Sequence, residues 1–120
     1  VLLRRQLWRS GFRYRLHAVD LPGKPDIVFR RARVVVFCDG DFWHGRDWRR
    51  RREKLSRGTN APYWIAKIAA NLARDRRNTR ALRRSGWIVV RLWETDVLRD
   101  ASAAVKLVSS ALQAAARRGR

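Results

Sequence analysis

The sequence predicts an α/β fold, a mixed sheet flanked by helices. Three observations lead there. Short runs rich in Val, Ile and Phe occupy residues 26–29, 33–38 and 87–93, the composition of strands. Between the second and third runs lies a stretch with Ile65, Ile68, Leu72 and Leu82 at helical spacing,. Arg30-Arg31 joins the first two runs, which makes them a hairpin. A length of 120 residues leaves room for one domain, residues 1–120, around one core.

The elements follow in order. Residues 1–10 read as the end of a helix, with Leu3 and Leu7 one turn apart and Gly11 as its stop,. Residues 12–16 alternate apolar and basic side chains, which suits a half-buried strand. Leu21-Pro22-Gly23-Lys24-Pro25 places Pro and Gly where a tight turn needs them,. The hairpin follows. Residues 39–60 lack apolar periodicity and read as a long polar loop with at most one short turn, a length that usually signals function. A long helix then runs from Asn60 as N-cap, with Pro62 in its first turn, to Ser85 and stops at Gly86,. After the strand at 87–93, Asp100 caps a final helix through Ala116, with Val105, Val108 and Leu112 as its buried stripe,.

Charge gives the first functional signal. Lys and Arg total 29 against 10 Asp and Glu, a formal net charge of +19. A domain so basic repels itself unless an anionic partner relieves it. Nucleic acid is the usual partner, because each neutralised phosphate releases condensed counterions. With about six phosphate contacts, log K falls against log salt with a slope of roughly −5. The plain alternative is a solvated basic surface in an Arg-rich proteome. Residues 45–57 concentrate seven basic residues against Asp47 and Glu53.

The longest purely apolar stretches, 34–38 and 87–90, are far too short to cross a bilayer. The single cysteine, Cys38, excludes an internal disulfide and a zinc site built on paired cysteines. A reducing cytoplasm fits. The chain has no Met and begins inside a helical pattern, so its native start is expected upstream.

Two segments carry candidate chemistry. Pro25-Asp26 opens the first hairpin strand, and Phe37-Cys38-Asp39 closes the second, so the Asp26 carboxylate and the end of the neighbouring strand can meet. Phosphodiester hydrolysis needs a hard cation on the phosphoryl oxygen. Mg2+ takes one or two carboxylates plus backbone and water oxygens. Asp at a turn is otherwise an ordinary cap. Asp39 joins Asp26 as a catalytic candidate by its place at the strand end.

Asp39-Gly40-Asp41-Phe42-Trp43-His44-Gly45 follows that strand directly. Two aromatics between glycines in a basic loop make a poor core segment and a good wedge, since proteins that kink duplexes insert apolar side chains between base steps. Histidine is the side chain suited to general-base work near neutral pH. The competing reading folds Phe42 and Trp43 back on the core. On the long helix, Lys67, Asn71, Arg74 and Asn78 share a face,. Lys and Asn can bond base edges and Arg can take phosphate, although a solvated face has the same pattern. Asp75 either pairs with Arg74, Arg76 or Arg77, or orients His44 as the third group of a relay.

Taken together, these segments resemble the very-short-patch-repair (Vsr) DNA mismatch endonuclease family. The resemblance rests on four segments in order. They are Leu21-Pro22-Gly23-Lys24-Pro25-Asp26, Phe37 to His44-Gly45, Tyr63-Trp64-Ile65-Ala66-Lys67-Ile68 with Asn71 and Asp75, and Gly86-Trp87-Ile88-Val89-Val90 with Trp93-Glu94. It implies a restriction-endonuclease-like α/β fold and nicking of one DNA strand at T:G mismatches left by deamination of 5-methylcytosine. It further implies Mg2+ on Asp26 and the backbone carbonyl of Cys38. His44 would activate water, held by Asp75. Phe42 and Trp43 would intercalate beside the mismatch, and Lys67 and Asn71 would read it.

Where the family carries a structural zinc, this chain has Arg46, Trp48 and Thr95. No structural zinc is therefore expected, and Trp48 is expected to pack in its place. Some members of the family have Thr-His where Cys38-Asp39 stands here. The family's N-terminal arm and the acidic residue on its first helix fall outside this chain. The expected partner is double-stranded DNA, mismatched, met by a monomer, because a mismatch is asymmetric and one nick needs one active site. The expected setting is a bacterial cytoplasm at the nucleoid, with repair proteins as possible partners and no membrane. Two other readings stay open: a related nuclease of restriction or phage-defence specificity, and a DNA-binding module without catalysis.

Overall fold

The computed structural model describes residues 2–16, 18–42, 44–58 and 60–118. In chain order the elements are α1 (Leu2–Arg9), β1 (Arg15–Leu16), β2 (Ile27–Phe29), β3 (Val34–Asp39), α2 (Trp48–Ser56), α3 (Ala61–Arg84), β4 (Ile88–Trp93), α4 (Glu94–Arg99) and α5 (Ala101–Arg118). The four strands form one mixed sheet in the order β1-β2-β3-β4. β1, β2 and β3 pair antiparallel, and β4 lies parallel to β3 with Val34 opposite Ile88 and Asp39 opposite Trp93. The α/β class and the mixed sheet flanked by helices are as the sequence predicts. None of the described helices is long and apolar enough to cross a membrane.

Strand periodicity divides the core. Alternate side chains of β2 and β3 point to opposite faces. Ile27, Phe29, Val34 and Val36 pack with Leu3 and Leu7 of α1, Val97 of α4, and Ala104 and Val108 of α5. Val28, Val35 and Phe37 pack on the other face with Leu82 of α3. A strand covered on both sides has no polar face to show, which explains the unbroken Val34-Val35-Val36-Phe37 run.

The topology gathers one end of the sheet. β3 and β4 run parallel and end together at Asp39 and Trp93. β2 runs the opposite way, so its first residues lie at that same end, with the Asp26 amide donating to Val36 O at 3.1 Å. Asp26, Cys38, Asp39 and Arg91 therefore share an edge.

Three expectations need correction. The strand expected over 12–16 is only Arg15–Leu16. Phe12 N–H still closes α1 on Leu7 O, and Arg13 folds over the Trp8 ring at 3.6 Å, so the chain leaves the helix later than alternation implies. The segment read as a loop contains α2, a nine-residue helix with no fully buried residue. Its Arg, Lys, Glu and Leu are good helix formers, but it has no apolar stripe to announce it. Asn60 precedes α3 as expected, yet it adopts φ 58° and its side chain makes no capping bond. The short α4 is also absent from the sequence reading. The final helix starts where predicted: Asp100 Oδ1 accepts the Ala103 N–H at 3.1 Å.

Candidate active site

The site forms where the loop after β3 returns across the sheet end toward α3. Asp26 stands just before β2, and its Oδ2 accepts the Cys38 backbone N–H at 2.7 Å. This contact aligns the turn before β2 with the end of β3 and brings the carboxylate beside the Cys38 main chain. The N–H and C=O of a strand residue point to the same side in an antiparallel pair, so the Cys38 carbonyl also faces the Asp26 side. The Cys38 thiol is pushed up to about 11 by burial first and by the Asp26 charge second. The thiol stays protonated at neutral pH, leaving the main chain as the oxygen donor of that residue.

The loop carrying His44 is folded tightly. His44 N–H donates to Gly40 O at 3.1 Å and Arg46 N–H to Asp41 O at 3.0 Å. Gly45 has φ 68°, and a Cβ there would sit 2.9 Å from Leu72 Cδ1 of α3. Only glycine lets the loop lie this close to the helix. The result puts His44 Nδ1 2.6 Å from Asp75 Oδ2. Asp75 thus serves His44 rather than its arginine neighbours on α3.

Asp39 is 7% exposed. Arg91 of β4 holds it in a fork, Nε donating to Oδ2 at 2.9 Å and Nη2 to Oδ1 at 3.0 Å. Arg91 Nη1 also donates to Thr79 Oγ1 at 3.1 Å, and Nη2 lies 3.4 Å from Asp75 Oδ1. His44 Nδ1 is 3.7 Å from Asp39 Oδ1. Two clefts meet at this cluster. One, of about 470 Å³, contains Asp26, Cys38, Lys24, Arg74 and Asn78. The other, of about 490 Å³, runs along Arg76, Arg80 and Arg83 of α3 toward Trp93. Asp39, His44, Asp75 and Arg91 line both.

The structure thus brings Asp26, Cys38, Asp39, His44 and Asp75 together, with Arg74 beside them. Lys67 and Asn71 do not line the Asp26 cleft; they lie about two turns and one turn from Arg74 toward the start of α3. Phe42 is half-buried, its ring edge-on to Trp64 at 5.7 Å, so in this state it rests on α3. Trp43 lies outside the described residues.

A second polar cluster fixes the same loop to α4. Arg46 Nη1 reaches Asp41 Oδ2 at 3.1 Å, Thr95 Oγ1 at 3.0 Å and Asp96 Oδ1 at 3.0 Å. Thr95 Oγ1 donates to Asp41 Oδ2 at 2.6 Å. Burial opposes ionisation of Asp41, yet the bonds from Thr95 and the Arg46 charge outweigh it and hold the carboxyl below its usual range. Arg46 and Thr95 are therefore joined directly, and Trp48 opens α2. Sequence reading missed Arg91, Thr79 and this cluster. The signal for Arg91 was present: one charged residue in an otherwise apolar strand, Ile88-Val89-Val90-Arg91-Leu92-Trp93, needs a buried partner.

Similarity to known proteins agrees with this geometry. The family of the DNA mismatch endonuclease Vsr matches residues 1–50. The type II nicking enzyme V.NmeDIP of Neisseria meningitidis serogroup C is 39% identical over 111 residues, 92% of this chain and 74% of that protein. The type II nicking enzyme V.XorIIP of Xanthomonas oryzae pv. oryzae is 45% identical over 95 residues, 79% of this chain and 68% of that protein. The DNA mismatch endonuclease Vsr of Escherichia coli is 36% identical over 85 residues, 71% of this chain and 53% of that protein. On these similarities the chain belongs to the Vsr DNA mismatch endonuclease family and is a DNA endonuclease.

Proposed function

We propose that this chain is a single restriction-endonuclease-like nuclease domain that nicks one strand of duplex DNA at T:G mismatches, acting as a monomer with Mg2+. The observation that carries the reading is the convergence of two separately built units on one cleft: the Asp26 carboxylate against the Cys38 main chain at 2.7 Å, and His44 held by Asp75 at 2.6 Å.

The donor set fits a hard cation. One carboxylate whose Oδ2 is anchored by an amide, plus a backbone carbonyl, is the sparse protein share that Mg2+ takes, water completing the shell. Among the described residues there is no group of three or more His, Cys, Asp or Glu placed to hold a metal, so a fully protein-caged ion is not the better fit. Asp26 and the Cys38 carbonyl would hold Mg2+, which when bound supplies charge to the phosphoryl and leaving oxygens.

The chain's own residues supply the rest. With Nδ1 committed to Asp75, Nε2 of His44 accepts a proton from the attacking water. Lys24, Arg74 and Asn78 line the cleft and hold the DNA backbone beside the cut. Lys67 and Asn71, farther along α3, reach base edges in the duplex. Phe42 swings off Trp64, with Trp43, to enter the base stack at the mismatch. The net charge of +19 supports the affinity that the unstacking requires.

The test is nicking of a labelled T:G duplex beside its fully paired control, with Mg2+ and with EDTA. Mg2+-dependent nicking confined to the mismatched duplex supports the reading. Cutting of both duplexes replaces it with a nuclease of other specificity. Tight, salt-sensitive binding without a nick in Mg2+ leaves DNA binding and removes the catalytic assignment.

A further inference from the structure

Arg91 is unusual for an arginine in so basic a chain. With 29 Lys and Arg available, DNA affinity needs no guanidinium sunk into the sheet end, and desolvating one is unfavourable unless its partners are close to ideal. Its partners here are close to ideal. Both Asp39 oxygens are taken by Nε and Nη2, Thr79 Oγ1 takes Nη1, and the guanidinium carbon sits 4.1 Å over the Phe37 ring centroid. A guanidinium engaged on its edge and its face is poorly placed to grip a phosphate as well.

Its contacts with the two carboxylates around His44 are unequal. A ring nitrogen that carries its one hydrogen donates one strong bond. Two carboxylates face His44 Nδ1: Asp75 Oδ2 at 2.6 Å and Asp39 Oδ1 at 3.7 Å. Arg91 satisfies both oxygens of Asp39, but touches only Oδ1 of Asp75, at 3.4 Å. The oxygen left for the imidazole is Asp75 Oδ2.

We propose that Arg91 is a positioning residue: by engaging Asp39 at both oxygens it removes the competing acceptor and commits His44 Nδ1 to Asp75, so that Nε2 is the nitrogen left for chemistry. The inference rests on the nicking function proposed above for its kinetic consequence, but its geometric content concerns the DNA-free protein. Asp39 is then the acceptor that Arg91 withdraws from His44.

The experiment reads the ring itself. The chain has two histidines, so ¹⁵N-histidine spectra of the full chain are assigned with a His17→Gln variant. Wild type gives one His44 pattern, protonated at Nδ1. In Arg91→Gln that pattern splits or averages between two environments, and kcat for nicking falls about 100-fold, the cost of a misplaced reacting group, while KM for the duplex changes less than about twofold. In Arg91→Gln/Asp39→Val the competing carboxylate is gone, so the single pattern returns and kcat recovers about tenfold or more over the single variant. An Arg91→Gln protein with a wild-type His44 pattern overturns the proposal, as does a folded double variant that stays as slow as the single. Should Arg91→Gln fail to fold, the double variant, which buries no unpaired charge, decides by whether its His44 pattern is single. If wild type does not nick at all, the function proposed above fails while the histidine spectra still judge Arg91.

Discussion

Asp75 and His44, 31 residues apart in sequence, meet at 2.6 Å because a loop and a helix dock through Gly45 and Leu72. The carboxylate sits in the middle of α3, where the helix backbone fixes it. The imidazole sits on a tight turn that cannot move without losing the Gly45 contact. The bond is therefore set before DNA arrives.

Replacing Asp75 with Asn keeps the shape and removes the charge. The amide can offer N–H to Nδ1 and reverse which ring nitrogen carries the proton. Nicking by Asp75→Asn should fall by a factor on the order of 10³, with duplex affinity in a gel-shift assay within about threefold of wild type. Equal losses of nicking and binding would mean that Asp75 supports the loop and not the chemistry.

Asp26 accepts the Cys38 N–H and, in the function proposed above, holds the cation; one substitution can separate the two. Asp26→Asn retains an oxygen to accept the Cys38 N–H, whereas Asp26→Ala leaves that amide unpaired at a cost of about 1–2 kcal/mol. Asp26→Asn should therefore melt within a few degrees of wild type and still show no Mg2+-dependent nicking. Its DNA affinity should be equal or tighter, since a negative charge has left a phosphate-facing cleft. Residual Mg2+-dependent nicking in Asp26→Asn would move the cation elsewhere.

The strands and hairpin were legible as short apolar runs set off by turn residues, and α3 and α5 as helices that bury a periodic apolar stripe. Val34 to Phe37 and Ile68, Leu82 and Val108 are where that signal lives. α2 was not legible because its stability does not come from a buried face, and α4 because six residues are too few to show a period. In the site, Asp26, His44 and Asp75 could be named from spacing at strand ends and along a helix. Thr79 and the tie from Arg46 to α4 could not, and Arg91 showed only as one charge in an apolar strand, without its partners. Their partners lie 12 to 52 residues away and are chosen by the parallel register of β4 on β3.

The Arg46 cluster makes a stability prediction with a definite sign. Asp41 has its carboxyl held below the ordinary value of 3.8 in the folded state. A lowered folded pKa contributes stability that is present above the unfolded value and is lost as pH falls through the folded one. Wild type should lose melting temperature below about pH 4 more steeply than Asp41→Asn. At pH 7, Arg46→Met should melt lower than wild type through its lost charged hydrogen bonds. Parallel acid melting curves for wild type and Asp41→Asn would show that the cluster does not form in solution.

α2 offers a test of the DNA path. Arg49, Arg50 and Arg52 are exposed, and the ion pair on this helix face joins Arg57 to Glu53. Removing the cation from one phosphate should lower the magnitude of the slope of log K against log salt by about 0.9. Replacing Arg49, Arg50 and Arg52 with Gln should therefore flatten that slope by up to roughly 3 if all three meet phosphates. An unchanged slope would place α2 away from the duplex and shift the electrostatic footprint to α3.

Cys38 separates side chain from main chain. With the thiol pushed up to about 11, the thiolate is scarce at pH 8, and alkylation by iodoacetamide should be slow there and accelerate only toward that value. Cys38→Ala keeps the backbone oxygen and removes the sulfur, so nicking should persist within about fivefold, the loss reflecting only a small change in packing beside Leu92. If instead Cys38→Ala abolishes Mg2+-dependent nicking while melting like wild type, the sulfur takes part in the chemistry, and a softer cation than Mg2+ becomes the better assignment.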